Sequence, residues 1–104
     1  MKLMFWNVRG LGKTHRRSLV RDHVLSESLD LIALQETIKQ SFDDWELKDL
    51  AGNIDFNWIW NPSRGHSGGL IMGVRTESFE IEDSVLENYF MGLLVRNRVT
   101  NFRF

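Results

Sequence analysis

Leu3-Met4-Phe5-Trp6-Asn7-Val8-Arg9-Gly10 opens the chain with a run that is apolar on both parities and then breaks on polar residues and glycine. Apolar residues at successive positions predict a central strand covered on both faces, and Gly10-Leu11-Gly12 predicts the loop that ends it. From about Thr14 to Leu29 the period changes. Leu19, Val20, His23, Val24 and Leu29 recur at mostly three- and four-residue steps, with Arg16, Arg17, Arg21 and Glu27 between them, which predicts an amphipathic helix with His23 on its apolar face. Asp30-Leu31-Ile32-Ala33-Leu34 returns to a short apolar run, closed by Gln35-Glu36-Thr37. Strand, helix, strand in this spacing is a βαβ-like unit. In a layered α/β sheet, Asn7 and Glu36 would stand at the carboxyl ends of two strands, where such folds bind ligands.

Ser41-Phe42-Asp43-Asp44 has the shape of a capping box, with Ser41 as the cap, and predicts a short helix to about Leu50 that stops at Gly52. Phe56 to Trp60 reads as an aromatic strand, Asn61-Pro62-Ser63-Arg64-Gly65 as a turn cluster, and Gly68 to Val74 as the strand that pairs back. Phe79 to Leu86 and Tyr89 to Arg96 are expected strands joined near Glu87-Asn88. A last turn over 97–101 leads into Phe102-Arg103-Phe104, so the chain is expected to end inside an antiparallel hairpin. A chain of 104 residues supports one domain of modest stability, with four Trp and seven Phe supplying much of its core.

The net charge of −1 argues against a chain held to nucleic acid by bulk positive charge, so any such contact must be local. Arg9, Lys13, Arg16, Arg17 and Arg21 do cluster, for which a solvated helix face is the ordinary reading. The absence of cysteine removes disulfide frameworks and thiolate zinc sites. Apolar runs fall short of the roughly 20 residues of a membrane span, and Met1 to Trp6 lacks a signal peptide's length and cleavage site. A soluble intracellular protein without a membrane partner is expected, with nothing to separate nucleus from cytoplasm.

Mg²⁺ prefers hard oxygen ligands and keeps several waters, so Glu36 with the Asn7 amide is a candidate partial site. The alternative is that Asn7 caps the following loop and Glu36 is a solvated strand end. Gly12-Lys13-Thr14 resembles the close of a phosphate-cradling P-loop, but Asn7 stands where its first glycine belongs, and the second strand ends in Gln35-Glu36 rather than in a metal-reaching Asp. A P-loop nucleotide binder is therefore a minor alternative. Among the histidines, His23 reads as a core or boundary residue, His15 belongs to the basic stretch, and His66 lies on a loop with no Asp spaced to orient it.

Trp6-Asn7-Val8-Arg9-Gly10, the basic helix, Asp30 through Thr37, and Ser67-Gly68-Gly69 before an apolar strand together resemble the endonuclease/exonuclease/phosphatase family. The nearest variant is the apurinic-endonuclease-like domain of plant LINE-type retrotransposon reverse-transcriptase proteins. The resemblance implies an α/β fold in which residues 1–104 form the N-terminal part of a four-layer sandwich, two mixed β-sheets flanked by helices, truncated. It implies hydrolysis of DNA phosphodiester bonds with Mg²⁺ or Mn²⁺, with Glu36 and Asn7 as catalytic metal ligands and Arg9, Lys13, Arg16 and Arg17 on nucleic-acid phosphates. Arg9 departs from the acidic residue of some DNA-repair members and agrees with the retrotransposon type. The family's active-site Tyr, Asp-x-Asn pair and Ser-Asp-His segment fall beyond the strand in which this chain ends. Expected for the chain alone are weak or absent activity and self-association through an unpaired C-terminal strand; a non-enzymatic remnant that binds nucleic acid weakly is the alternative.

Overall fold

The structure, a computed structural model, describes residues 1–88 and 90–104. Its elements are β1 (Leu3–Asn7), α1 (Thr14–Glu27), β2 (Leu31–Gln35), α2 (Asp44–Leu50), β3 (Phe56–Asn61), β4 (Leu70–Arg75), β5 (Phe79–Leu86) and β6 (Met91–Asn97). The strand expected from Tyr89 to Arg96 has its first residue outside the described residues; β6 begins at Met91 and runs one residue further, to Asn97.

β1 and β2 are parallel neighbours, with Leu3 beside Leu31 and Asn7 beside Gln35, so the βαβ unit is real. β4 pairs antiparallel with β2 and then with β3, giving a mixed sheet in the order β1-β2-β4-β3. β5 and β6 form a second, antiparallel sheet. Phe102 to Phe104 lies along β6, where the Val95 and Phe104 backbones exchange hydrogen bonds of 2.8 and 2.9 Å.

The alternation along β2 explains the layering. Ile32 and Leu34 face the helices and join Val8, Leu11, Val20, Val24, Leu50 and Ile71 in one core. Leu31, with Ala33 packed beside it, faces the other way and meets Val74, Phe79 and Val95 between the sheets. Helix, sheet and sheet are thus three stacked layers, each interface filled by one parity of β2.

Several expectations are corrected. β1 lies at the sheet edge rather than its centre, and Leu3 and Phe5 remain 44% and 69% exposed on the face turned toward the second sheet. Residues 17, 20 and 24 form the buried face of α1, so Leu19 and His23 are exposed, and the His23 and Trp6 rings meet at right angles, 6.4 Å between centroids. The helix ends at Glu27 because Ser28 turns left-handed and returns its N–H to the Val24 carbonyl. The aromatic core is smaller than composition suggests: Phe42 and Phe79 are buried, whereas Trp6, Trp58, Trp60 and Phe56 only flank the first core.

Gly73 faces the helices between Ile32 and Trp58, and a Cβ there would lie 2.5 Å from the Trp58 ring. Gly73→Ala should cost about 1–3 kcal/mol by overpacking. Urea unfolding measures this, and an unchanged midpoint would mean that Trp58 can swing aside.

The cap of α2 is Asp43 rather than Ser41, with Glu46 at the third helical position accepting from the Asp43 N–H at 3.1 Å. Burial opposes the Glu46 charge. The Lys39 ammonium at 2.7 Å, the Asp43 amide and nearby Arg17 outweigh it and hold the carboxyl below the ordinary glutamate range. A depressed folded-state pKa adds stability that is present above the unfolded-state value and lost as pH falls through the folded-state one. Glu46→Gln should therefore be less stable than the native chain at pH 7, and the gap should narrow as pH falls below the ordinary glutamate range in denaturation series run across pH.

Candidate metal and phosphate site

The parallel pairing of β1 and β2 continues past both strands. The Val8 N–H donates to the Gln35 carbonyl at 3.0 Å, Gly10 to Glu36 at 2.7 Å and Leu11 to Thr37 at 2.9 Å. From the other side, the Thr37 and Ile38 amides donate to the carbonyls of Gly69 and Gly68 at 3.2 and 3.0 Å. The segment carrying Glu36 is thus pinned between two loops.

The pinning holds an unfavourable backbone. Glu36 and Ile38 both have φ of 53°, and Arg9 across the gap has 50°. Left-handed conformations cost an L-residue roughly 1–2 kcal/mol each and persist where the surroundings over-determine them, as at ligand sites.

Gly69 shows why Gln-Glu-Thr and Ser-Gly-Gly belong together. Its φ is +94°, and a Cβ on it would fall 2.3 Å from the Thr37 hydroxyl and 3.2 Å from the Ile38 nitrogen. Thr37 is fully buried there, and neither its hydroxyl nor that of buried Ser63 has a hydrogen-bond partner among the described residues. The strand expected from Gly68 accordingly starts at Leu70, because the two glycines are spent on this contact.

In front of Gly68 and Gly69 opens a cleft of about 270 Å³, lined also by Gln35, Glu36, Asn61, Pro62, Leu70 and Asn88. Asn88, just past β5, lines its far side. Asn61 Nδ2 donates to the Glu87 carbonyl, and the Arg64 guanidinium donates to Asn88 Oδ1. Glu36 is exposed and is the one ionisable side chain among the described residues lining this cleft, and its carboxylate has no hydrogen-bond or ion-pair partner among them. A free carboxylate beside amide oxygens is a hard donor set that fits hydrated Mg²⁺ or Mn²⁺. No three His, Asp or Glu residues converge on such an ion among the described residues.

Asn7 is exposed at the end of β1, paired with Gln35, and is not part of the cleft lining. Arg9 and Lys13 are exposed beside Gly10 and Gly12, with Lys13 in extended conformation as the residue capping α1. His15 and His66 are exposed, neither of them lining the cleft. Two basic residues are placed otherwise than expected. Arg16 is half-buried, and its guanidinium donates to the Val8 carbonyl at 2.8 Å and to that of Arg9. Arg17 is 6% exposed, donates to the Leu11 carbonyl at 3.1 Å, sits 3.5 Å from the Asp49 carboxylate and lies over the Trp45 ring. Arg17 is therefore a buried clamp, not a solvent-facing cation.

The same loop departs from a P-loop in its first part. The Gly10 and Leu11 amides are already bonded to Glu36 and Thr37, and the carbonyls of Val8 and Arg9 face Arg16, so these two amides are not turned toward a phosphate. Sequence reasoning missed Asn61 and Asn88. Asn61 carried the signal that marked Asn7, a polar amide closing an apolar strand, whereas Asn88 carried none beyond its turn.

The chain belongs to the endonuclease/exonuclease/phosphatase family, whose sequence model matches residues 4–103. No curated protein matches it by sequence. Among solved structures it resembles the human Nocturnin catalytic domain with bound sulfate anion (TM-score 0.69, 12% identity, covering 98% of this chain and 47% of that one). It also resembles the Neisseria 3′ phosphatase NExo bound to a product DNA hairpin (0.67, 18%, 99% and 39%). A third is the AP endonuclease LMAP from Leishmania major (0.64, 16%, 97% and 37%). At these identities the likeness is one of fold, and the chain spans less than half of each.

Gly69→Ala should destabilise the chain by about 1–3 kcal/mol, since it adds both a clash and a left-handed alanine. Gly12→Ala, which meets nothing within 4 Å, should leave the urea midpoint almost unchanged. Equal midpoints for the two variants would refute the lock between Gly69 and Thr37.

Proposed function

We propose that this chain carries the metal-holding and phosphate-facing elements of a divalent-metal phosphodiesterase that acts on DNA. The observation that carries the reading is the Glu36 carboxylate, held on a strained and doubly pinned backbone, unpartnered among the described residues, in a cleft that also presents the amides of Gln35, Asn61 and Asn88. Membership of the family supports it, as does the likeness to a phosphatase bound to a DNA hairpin and to an AP endonuclease.

Glu36 is the principal ligand for Mg²⁺ or Mn²⁺ in this reading, with the Asn7 amide as a second. Such an ion, when bound, polarises a phosphate and eases ionisation of water. Exposed Arg9 and Lys13 attract backbone phosphates beside it. Arg9, basic where some DNA-repair members are acidic, supports a retrotransposon origin. Among the described residues lining the cleft no second ionisable group stands beside Glu36 to move a proton, so weak or absent turnover is expected of the chain alone. The open edge at Phe102 to Phe104 would pair with a second copy.

A plasmid-nicking assay with Mg²⁺ or Mn²⁺, run beside a Mn²⁺ titration, tests this. Expected are measurable Mn²⁺ binding that Glu36→Ala abolishes and little or no nicking. Robust nicking that survives Glu36→Ala would sink the assignment.

A further inference from the structure

Arg16 lies in the first turn of α1, yet its guanidinium turns back onto the loop that follows β1. Nη1 donates to the carbonyls of Val8, at 2.8 Å, and Arg9, and it stands 3.5 Å from that of Gly10. Successive carbonyls gathered on one cation make a charge-assisted clamp. The clamp falls where the loop is strained, at Arg9, whose φ is 50°. No carboxylate pairs with Arg16 among the described residues, so carbonyl dipoles alone compensate its charge.

The clamped loop is the one whose amides hold the Glu36 segment. Gly10 and Leu11 donate to the carbonyls of Glu36 and Thr37 at 2.7 and 2.9 Å. Force therefore passes from the Arg16 guanidinium through the carbonyls of residues 8–10 and the amides of residues 10 and 11 to the backbone that aims the Glu36 carboxylate. We propose that Arg16 is a positioning residue for Glu36, not a contact to nucleic-acid phosphate. This rests on the reading of Glu36 as a metal ligand.

Electrostatics separates the two effects by sign. A cation near a metal site repels the metal, so neutralising Arg16 would by Coulomb's law alone tighten metal binding. Loss of positioning weakens it, by about tenfold where an outer group orients a ligand.

The test is Mn²⁺ affinity by calorimetry for the native chain, Arg16→Gln, Arg16→Lys and Glu36→Gln, with thermal unfolding recorded for each and titrations run well below its midpoint. About tenfold weaker Mn²⁺ binding by folded Arg16→Gln, and weaker binding by Arg16→Lys, whose shorter side chain does not carry its ammonium to the position of Nη1, is expected. Should Arg16→Gln fail to fold, Arg16→Lys decides. Native or tighter affinity in the folded Arg16 variants, with binding lost in Glu36→Gln, overturns the positioning role and leaves the metal reading intact. No Mn²⁺ binding by the native chain, or binding kept by Glu36→Gln, overturns the metal reading and the proposal with it.

Discussion

Everything in the site depends on one constraint: the backbone of Glu36, Thr37 and Ile38 is hydrogen-bonded on both sides, to Gly10 and Leu11 on one and to Gly68 and Gly69 on the other. A strand end is ordinarily free to fray. Here the parallel ladder is carried past the end of β2, and two left-handed residues are held that an isolated segment would relax. The carboxylate borne on such a segment faces its cleft without first paying the cost of being ordered there.

The same constraint joins the layers. Gly69 can approach Thr37 because β4 is the antiparallel neighbour of β2, and the loop at Gly10 can reach Glu36 because β1 is its parallel neighbour on the other side. The second sheet enters through Asn61 and Arg64, which tie the turn between β5 and β6 over the cleft. A wall from each sheet therefore bounds one small polar space, although Glu36 and Asn88 are far apart in the chain.

Local signals were legible where a short pattern sufficed. β5 runs over the span expected of it, α2 ends where Gly52 predicts, and Asn7 and Glu36 do close parallel strands. The misreadings have a common origin. Periodicity placed His23 in the apolar face of α1, but the helix rotates so that Arg17, Val20 and Val24 face inward, because Arg17 finds carbonyl acceptors on the preceding loop and Asp49 on α2. Apolar residues on both parities placed β1 at a sheet centre, but an edge position leaves Leu3 and Phe5 exposed. In both cases a neighbour absent from the local window decided the outcome.

By itself the sequence determined the order and type of the elements, the family, and the residue types at the strand ends, since these rest on period, turn chemistry and short motifs. Only the tertiary structure decided which charges are available. Of the five basic residues in one stretch, Arg9 and Lys13 face solvent, Arg16 and Arg17 are consumed by the carbonyls of their own loop, and Arg21 pairs with Asp49. A guanidinium's role is set by the acceptors within reach of its fork, and those acceptors are assembled only when the chain folds.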